Sequence, residues 1–359
     1  MNILHLCPDF NYADGRSYYV FLLLKYLNRN GHNVFLYTND GDSFERLNDE
    51  KISFFTHKQL SSRTSFIKSV SLISGFVKKN NIDIIHSHHR YYELIAGAVS
   101  SFNRNKIKTV FTALSIVEKR YGIEYRSDKI IAVSNSVKQM LIEKFKINES
   151  RIVSISNFAD SEEIDTINTY NQEKQQNSKN QIELLAIGRF HKDKDFATLL
   201  NAIRNLKNNN IHLNLIGEGP EETLYKKLIS KYSLKAELIS PKKNLKKYFQ
   251  NADICILPSI IDPFPGFMLQ SGLYNKPFIG SDVDGISELI VNGNNGLLFM
   301  RQDQDDLSLK IREFINNSEL AKKCAENLHF EVTGKYTEKT IIPLIEKVYH
   351  NLKIDIIKP

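Results

Sequence analysis

The chain has 359 residues, of which 42% are hydrophobic and 25% charged, with a formal net charge of +7 and three cysteines. That length suits two domains rather than a single core, and no apolar run approaches the roughly 18 residues a membrane span requires. The basic residues come without a zinc-finger, helix-turn-helix or RNP-like pattern, so no nucleic-acid partner is expected, and Cys7, Cys255 and Cys324 lack metal spacing and fit a reducing compartment.

The opening MNILHLCPDF has no basic n-region and reads as a buried strand, which predicts a cytoplasmic protein. The loop 8–16 leads into a helix with Tyr19, Val20, Leu23, Tyr26 and Leu27 at helical spacing, closed by Asn30-Gly31. Strands predicted over 33–38, 82–86, 108–112 and 129–133 alternate with helices near 65–79, 92–101 and 135–145. Ser134 to Ser136 supplies an N-cap for the last helix. The segment 64–79 sets Phe66, Ile67, Val70, Ile73, Phe76 and Val77 beside Lys68, Lys78 and Lys79. Its pattern fits a core-packed helix and also a membrane-docking one. His86, His88 and His89 end a strand. Without a third ligand at metal spacing, they are expected as polar residues on a rim, and no metal is expected.

Residues 1–160 hold 22 Lys and Arg against 15 Asp and Glu, whereas residues 161–359 hold 26 of each, so the whole charge excess lies in the first half. That excess suits an anionic membrane surface or a lipid-diphosphate acceptor; a general lysine bias is the plain alternative. From 161 to 181 the chain turns polar (SEEIDTINTYNQEKQQNSKNQ) and reads as a connection. A second series follows, with strands near 182–188, 211–216, 236–239, 253–257 and 277–280 and helical segments near 303–316, 318–327 and 337–352. The expected organisation is α/β: a first domain over 1–165, a linker over 166–181 and a second domain over 182–335.

Chemistry concentrates in the second half. Gly188 and Arg189 end a strand, and Lys194 stands just before a helix. Two cations bracketing a strand-to-helix loop suit a diphosphate. Gly217-Glu218-Gly219-Pro220 also follows a strand, but lacks the spacing of a dinucleotide fingerprint. The stretch from Pro258 to Gly266 is an irregular Pro/Gly-rich loop that opens a helix. The N–H groups of Gly266, Phe267, Met268 and Leu269 are therefore expected to face a crevice. Asp262 and Gln270 flank that loop and the helix start.

Pro258-Ser259, Asn275-Lys276-Pro277, Gly285, Glu288-Leu289-Ile290, Asn292-Gly293 and Gly296-Leu297 resemble the C-terminal signature of retaining GT-B glycosyltransferases of the family 4 type, the glycosyl transferases group 1. The resemblance implies two doubly wound Rossmann-like domains facing a central cleft, with the final helix, 336–359, packing back on the first, acceptor-side domain. It implies metal-independent, cofactor-free transfer of a hexosyl or N-acetylhexosaminyl group from a UDP-sugar, or a GDP-sugar, with retention of configuration. A glycan or lipid-linked glycan in surface polysaccharide or lipopolysaccharide biosynthesis is the implied acceptor, with peripheral membrane contact through the basic first domain.

By the same resemblance, Arg189 and Lys194 grip the leaving diphosphate, Asp262 meets sugar hydroxyls and Gln270 meets the ribose. Gly188, Gly217 and the segment Gly266 to Leu269 line the donor side. Asp14-Gly15-Arg16 lies where the family often has Gly-Gly near the donor phosphates and acceptor, and only Gly15 carries over; Leu114 lies near the donor's 6-position, and Arg16 and His86 are expected on the donor-sugar or acceptor side. The acid pair Asp282 and Asp284 resembles the metal motif of another glycosyltransferase fold, but its setting matches a GT-B helix entry. Departures stand at Asp262 and Gln270, where the family carries Glu, at Asp195, where it carries Gly, and at Leu114, where it commonly carries His. Leu114 suggests either a 6-deoxy sugar against an apolar wall or a slipped alignment. Together the departures leave a second reading open, a non-catalytic GT-B partner that assists another transferase. A sugar-nucleotide epimerase reading lacks an acid–base pair.

Overall fold

The structure is a computed structural model that describes residues 1–58, 65–103, 107–120, 122–165, 181–206, 210–241 and 243–357. The expected linker lies outside these residues, apart from Gln181. The chain divides into two units, Met1–Asn157 with Lys339–Pro359, and Phe158–Glu338.

In the first unit the strands are β1 (Asn2–Leu6), β2 (Asp9–Phe10), β3 (Asn33–Thr38), β4 (Asp40–Gly41), β5 (Ser53–Thr56), β6 (Ile84–Ser87), β7 (Lys108–Ala113), β8 (Lys129–Ala132) and β9 (Ile152–Ser154). Seven of them form one sheet in the order β5-β3-β1-β6-β7-β8-β9, every pair parallel, while β2 and β4 make a separate short pair. Burial on both faces explains the near-continuous apolar runs in β1, β6 and β8. The helix Phe66–Lys79 lays Val70, Ile73 and Val77 in the core beside Tyr92, Ile95 and Val99, leaving Ile67 83% exposed. The last helix, Glu338–Ile357, belongs to this unit through buried Ile341, Ile345 and Tyr349, and its Glu346 bonds His32 and Asn30 at 3.0 Å each.

The second unit holds β10 (Ile182–Ile187), β11 (Ile211–Ile216), β12 (Ala236–Ile239), β13 (Ile254–Leu257), β14 (Phe278–Ser281) and β15 (Leu297–Phe299), all parallel in the order β12-β11-β10-β13-β14-β15. Leu184, Ala186, Leu213, Leu215 and Ile256 of the sheet pack with Phe196, Leu199 and Ile203 of the helix Phe196–Leu206. Two doubly wound sheets are therefore present. No helix among the described residues is long and apolar enough to cross a membrane.

Several boundaries differ from expectation. The first unit ends at Asn157 rather than 165, because Ala159 bridges Thr337 and the Ser161 N–H donates to Glu338 Oε2 at 2.9 Å. Residues 135–145 divide into an α-helix, Asn135–Gln139, and a π turn, Met140–Lys144. The helix expected over 318–327 runs from Ser318 to Lys335. There Leu328 and Val332 pack on Gly272, whose added Cβ would lie 2.9 Å and 2.7 Å from their side chains.

Each sheet has one point where strand order reverses: between β1 and β6 in the first unit, and between β10 and β13 in the second. Loops leaving the carboxyl ends of such strands diverge and open a crevice, the usual ligand position in open α/β sheets.

Candidate active site

β10 and β13 lie side by side, with Leu184 opposite Ile254 and Leu185 opposite Cys255, so the loops that follow them start as neighbours. The β10 loop carries Gly188 and Arg189 and then a single turn, Lys192–Lys194, in which the Asp193 N–H donates to His191 Nδ1 at 3.4 Å. Asp195 ends that turn at φ 47, and its carboxylate accepts the Thr198 hydroxyl at 2.7 Å. Aspartate tolerates the left-handed conformation and also bonds into the first turn of the next helix. Burial raises the pKa of this carboxylate.

The loop is braced from behind. A Cβ on Gly217 would sit 2.0 Å from the Gly188 carbonyl oxygen, and one on Gly219, at φ +148, would sit 2.5 Å from that of Phe190. Only glycine permits this approach. It lets the Phe190 N–H donate to Glu218 O at 2.7 Å and the Glu221 N–H donate to Phe190 O at 2.9 Å. Gly217 therefore supports the Gly188–Phe190 turn from its far side.

The β13 loop joins the first through the Ile260 N–H, which donates to Asp193 O at 2.7 Å. Beside this bond, the Lys194 ammonium forms an ion pair and hydrogen bond with Asp262. Asp262 is 4% exposed and also accepts Ser259 Oγ at 3.0 Å. Its backbone is held in turn: the Asp262 N–H donates to Asp284 Oδ2 at 3.1 Å, and the Gly285 N–H donates to Asp262 O at 3.0 Å. Asp284 adopts φ 39, and burial raises its pKa, while the backbone bond from Asp262 opposes that rise. Asp284 thus fixes the loop.

The helix Gly266–Leu273 begins after Pro265 with no side-chain cap. Its first N–H groups, from Gly266 to Met268, have no partner inside the helix. Gly266 is exposed and faces open space, while the side chains of Phe267, Met268 and Leu269 turn into the core. Gln270 is half-buried on the same helix. The Arg189 side chain is exposed and has no hydrogen bond or ion pair among the described residues. The second switch point thus combines an unpaired guanidinium, a paired ammonium, a buried carboxylate and an uncapped helix start.

The first switch point is different. His5 and His86 are register partners on β1 and β6. His5 Nδ1 and His88 Nε2 hydrogen-bond at 3.0 Å, and His86 reaches Tyr349 Oη and Thr112 Oγ1 at 2.6 Å each. One nitrogen from each ring lies within 4.8 Å of the others. His5 is thus the third imidazole that linear spacing did not reveal. His86 is fully buried rather than on a rim. Burial lowers the His5 pKa to about 3 and those of His86 and His88 well below the ordinary value, so the rings are neutral. Both His86 nitrogens already face hydroxyls, whereas His5 Nε2 and His88 Nδ1 are buried with no hydrogen-bond partner among the described residues. Nearby, Arg16 is drawn to Asp14 at 2.6 Å and to Asp9 at 3.9 Å, with Asp14 capping the helix Gly15–Arg29. A side chain at Gly15 would meet nothing within 4 Å. Leu114 is half-buried directly after β7.

Residues 13–163 match the family described as Glycosyltransferase Family 4, and residues 168–329 match Glycosyl transferases group 1. The chain belongs to the group 1 and family 4 glycosyltransferases. This glycosyltransferase is 29% identical over 303 residues to an uncharacterized glycosyltransferase of Methanocaldococcus jannaschii, covering 80% of each chain. It is 21% identical over 350 residues to the capsular polysaccharide biosynthesis glycosyltransferase CapM of Staphylococcus aureus, covering 91% of this chain and 92% of that one. Its fold is similar to that of Anabaena HepE, whose structure was solved with UDP-glucose, at a TM-score of 0.83 and 15% identity over 98% of this chain and 100% of that one. The architecture is GT-B.

Proposed function

We propose that this glycosyltransferase moves a hexosyl or N-acetylhexosaminyl group from a UDP-sugar, or a GDP-sugar, to a glycan or lipid-linked glycan, with retention and without a metal. The observation that carries the reading is that the loop bearing Arg189 and Lys194 and the loop opening the uncapped helix Gly266–Leu273 leave the neighbouring strands β10 and β13 at the switch point. The UDP-glucose complex of HepE supports the nucleotide sugar, and the capsular polysaccharide role of CapM supports an acceptor in surface polysaccharide synthesis.

Cleavage of the glycosyl–phosphate bond leaves negative charge on the departing diphosphate. Arg189 and Lys194 offset that charge with hydrogen-bonded cations, and the helix N–H groups add oriented dipoles. In the retaining course, the leaving phosphate oxygen takes the acceptor's proton on the face it has just vacated. Asp262 accepts hydrogen bonds from sugar hydroxyls, and the Gln270 amide meets the ribose as an uncharged partner. Gly188 and Gly217 hold the turn at the phosphates. Gly15, with open space around it, leaves room on the acceptor side near Arg16. Leu114 gives an apolar wall that suits a 6-deoxy sugar. The basic first half suits work at the cytoplasmic face of a membrane.

The test is donor hydrolysis and transfer with a panel of UDP- and GDP-sugars, comparing wild type with Arg189→Ala. A loss of about 10²–10³ in turnover is expected, and near-normal turnover removes Arg189 from the chemistry. The rival reading, a non-catalytic partner, draws on Gln270 and Leu114. Tight nucleotide binding with no turnover on any donor would favour it.

A further inference from the structure

Lys194 does not stand as a bare cation. The Asp262 carboxylate already holds its ammonium, and that carboxylate is buried with a single further partner, Ser259 Oγ at 3.0 Å. Nor can Asp262 swing away with its loop. Its N–H is fixed by Asp284 at 3.1 Å, its carbonyl oxygen by the Gly285 N–H at 3.0 Å, and the loop itself by the bond from Ile260 to Asp193 at 2.7 Å. A diphosphate that reaches Lys194 therefore competes with a resident anion. If it wins alone, Asp262 remains buried with one hydroxyl for company, and an ionised carboxylate so stranded is strongly disfavoured. A sugar carried by the diphosphate removes that penalty, because its hydroxyls donate to the released carboxylate.

Resting on the function proposed above, we propose that Asp262 makes the site selective for the intact sugar nucleotide over the bare nucleoside diphosphate, by exchanging Lys194 for sugar hydroxyls. The exchange also acts after transfer. Once the sugar has left, Asp262 has no hydroxyl partner but Ser259, it reclaims Lys194, and the nucleoside diphosphate is expelled. The carboxylate thus works both in donor recognition and in product release.

Calorimetric titration of wild type and Asp262→Asn with UDP, GDP, UDP-glucose, UDP-N-acetylglucosamine and GDP-mannose tests this. Asparagine keeps the size and the Ser259 contact but cannot hold the ammonium as a charge pair. The expected result is that the variant binds the nucleoside diphosphate about tenfold more tightly, roughly the effect of one modest charge interaction. Its affinity for the matching sugar nucleotide should rise less or fall. Unchanged or weaker diphosphate binding in the variant overturns the inference, as does an equal gain for both ligands. A wild type that binds none of the five overturns the proposed function, and the inference falls with it. Thermal unfolding reports whether the variant is folded, and Asp262→Ser is read by the same criteria if Asn is not tolerated.

Discussion

The two strand-order reversals are alike in topology and opposite in finish. Between β1 and β6, His5, His86, His88, Thr112 and Tyr349 form a buried hydrogen-bonded cluster with neutral imidazoles, in which His5 Nε2 and His88 Nδ1 have no partner among the described residues. Between β10 and β13, the polar groups are charged, and the exposed Arg189 side chain and the first N–H groups of the helix at Gly266 have no partner among the described residues. A sheet reversal provides a crevice; whether it suits an anion depends on the charge and exposure of the groups that line it. Buried neutral imidazoles carry no charge for an anion, whereas exposed cations and free N–H groups give one somewhere to go.

That contrast can be broken by substitution. Arg189→Ala carries the largest expected effect, a loss of about 10²–10³ in turnover with little change in melting temperature, because the side chain is exposed. Steady-state kinetics beside thermal unfolding check it; a comparable fall in stability would show Arg189 to be structural. Next comes Gly285→Ala, whose Cβ would lie 1.8 Å from the Pro263 carbonyl oxygen. It should destabilise the second unit by about 2–3 kcal/mol, measured by denaturant unfolding, and weaken UDP binding through the displaced Asp262 loop. A fully stable variant would mean that the loop is not held there.

Acid sharpens the contrast from the other side. The buried imidazoles have folded pKa values below their unfolded ones, so the stability they confer is present above the unfolded value of about 6.5 and is lost as pH falls towards the folded values, about 3 for His5. At pH 5, His5 alone should have removed about 2 kcal/mol from the first unit. Unfolding followed from pH 7 to pH 5 should steepen in wild type and flatten in His5→Asn; equal slopes would mean that the network is not neutral and buried. The smallest effect is expected at Asp195. Glycine there relieves the left-handed strain but loses the bond to Thr198, so Asp195→Gly should change stability by less than about 1 kcal/mol. A larger shift in the unfolding midpoint would give that carboxylate a role beyond the turn.

Much of the second reversal could be read from linear spacing. Gly188-Arg189, Lys194 and Pro258 to Gly266 each follow a strand directly, and strand-end loops keep their chemistry in short segments. The bond from Lys194 to Asp262 could not be read, since it depends on β10 and β13 being neighbours. The same holds for His5, brought to His86 by the β1/β6 register across 81 residues of sequence separation, counted between the two positions. Three strands of the two large sheets escaped notice for a local reason. Ser53–Thr56 is largely exposed and lacks an alternating pattern, and Ile152–Ser154 and Leu297–Phe299 have only three residues each. The C-terminal part of helix Ser318–Lys335 reads as polar because its burial comes from a glycine on another helix, Gly272.

The central claim is that Arg189, Lys194 and the first turn of helix Gly266–Leu273 hold the donor's diphosphate. A crystal structure with UDP bound tests it most directly. The phosphate oxygens should lie about 3 Å from both cations and from the Gly266 to Met268 N–H groups. Phosphates found instead beside β1 and β6, with Arg189 and Lys194 untouched, would contradict it.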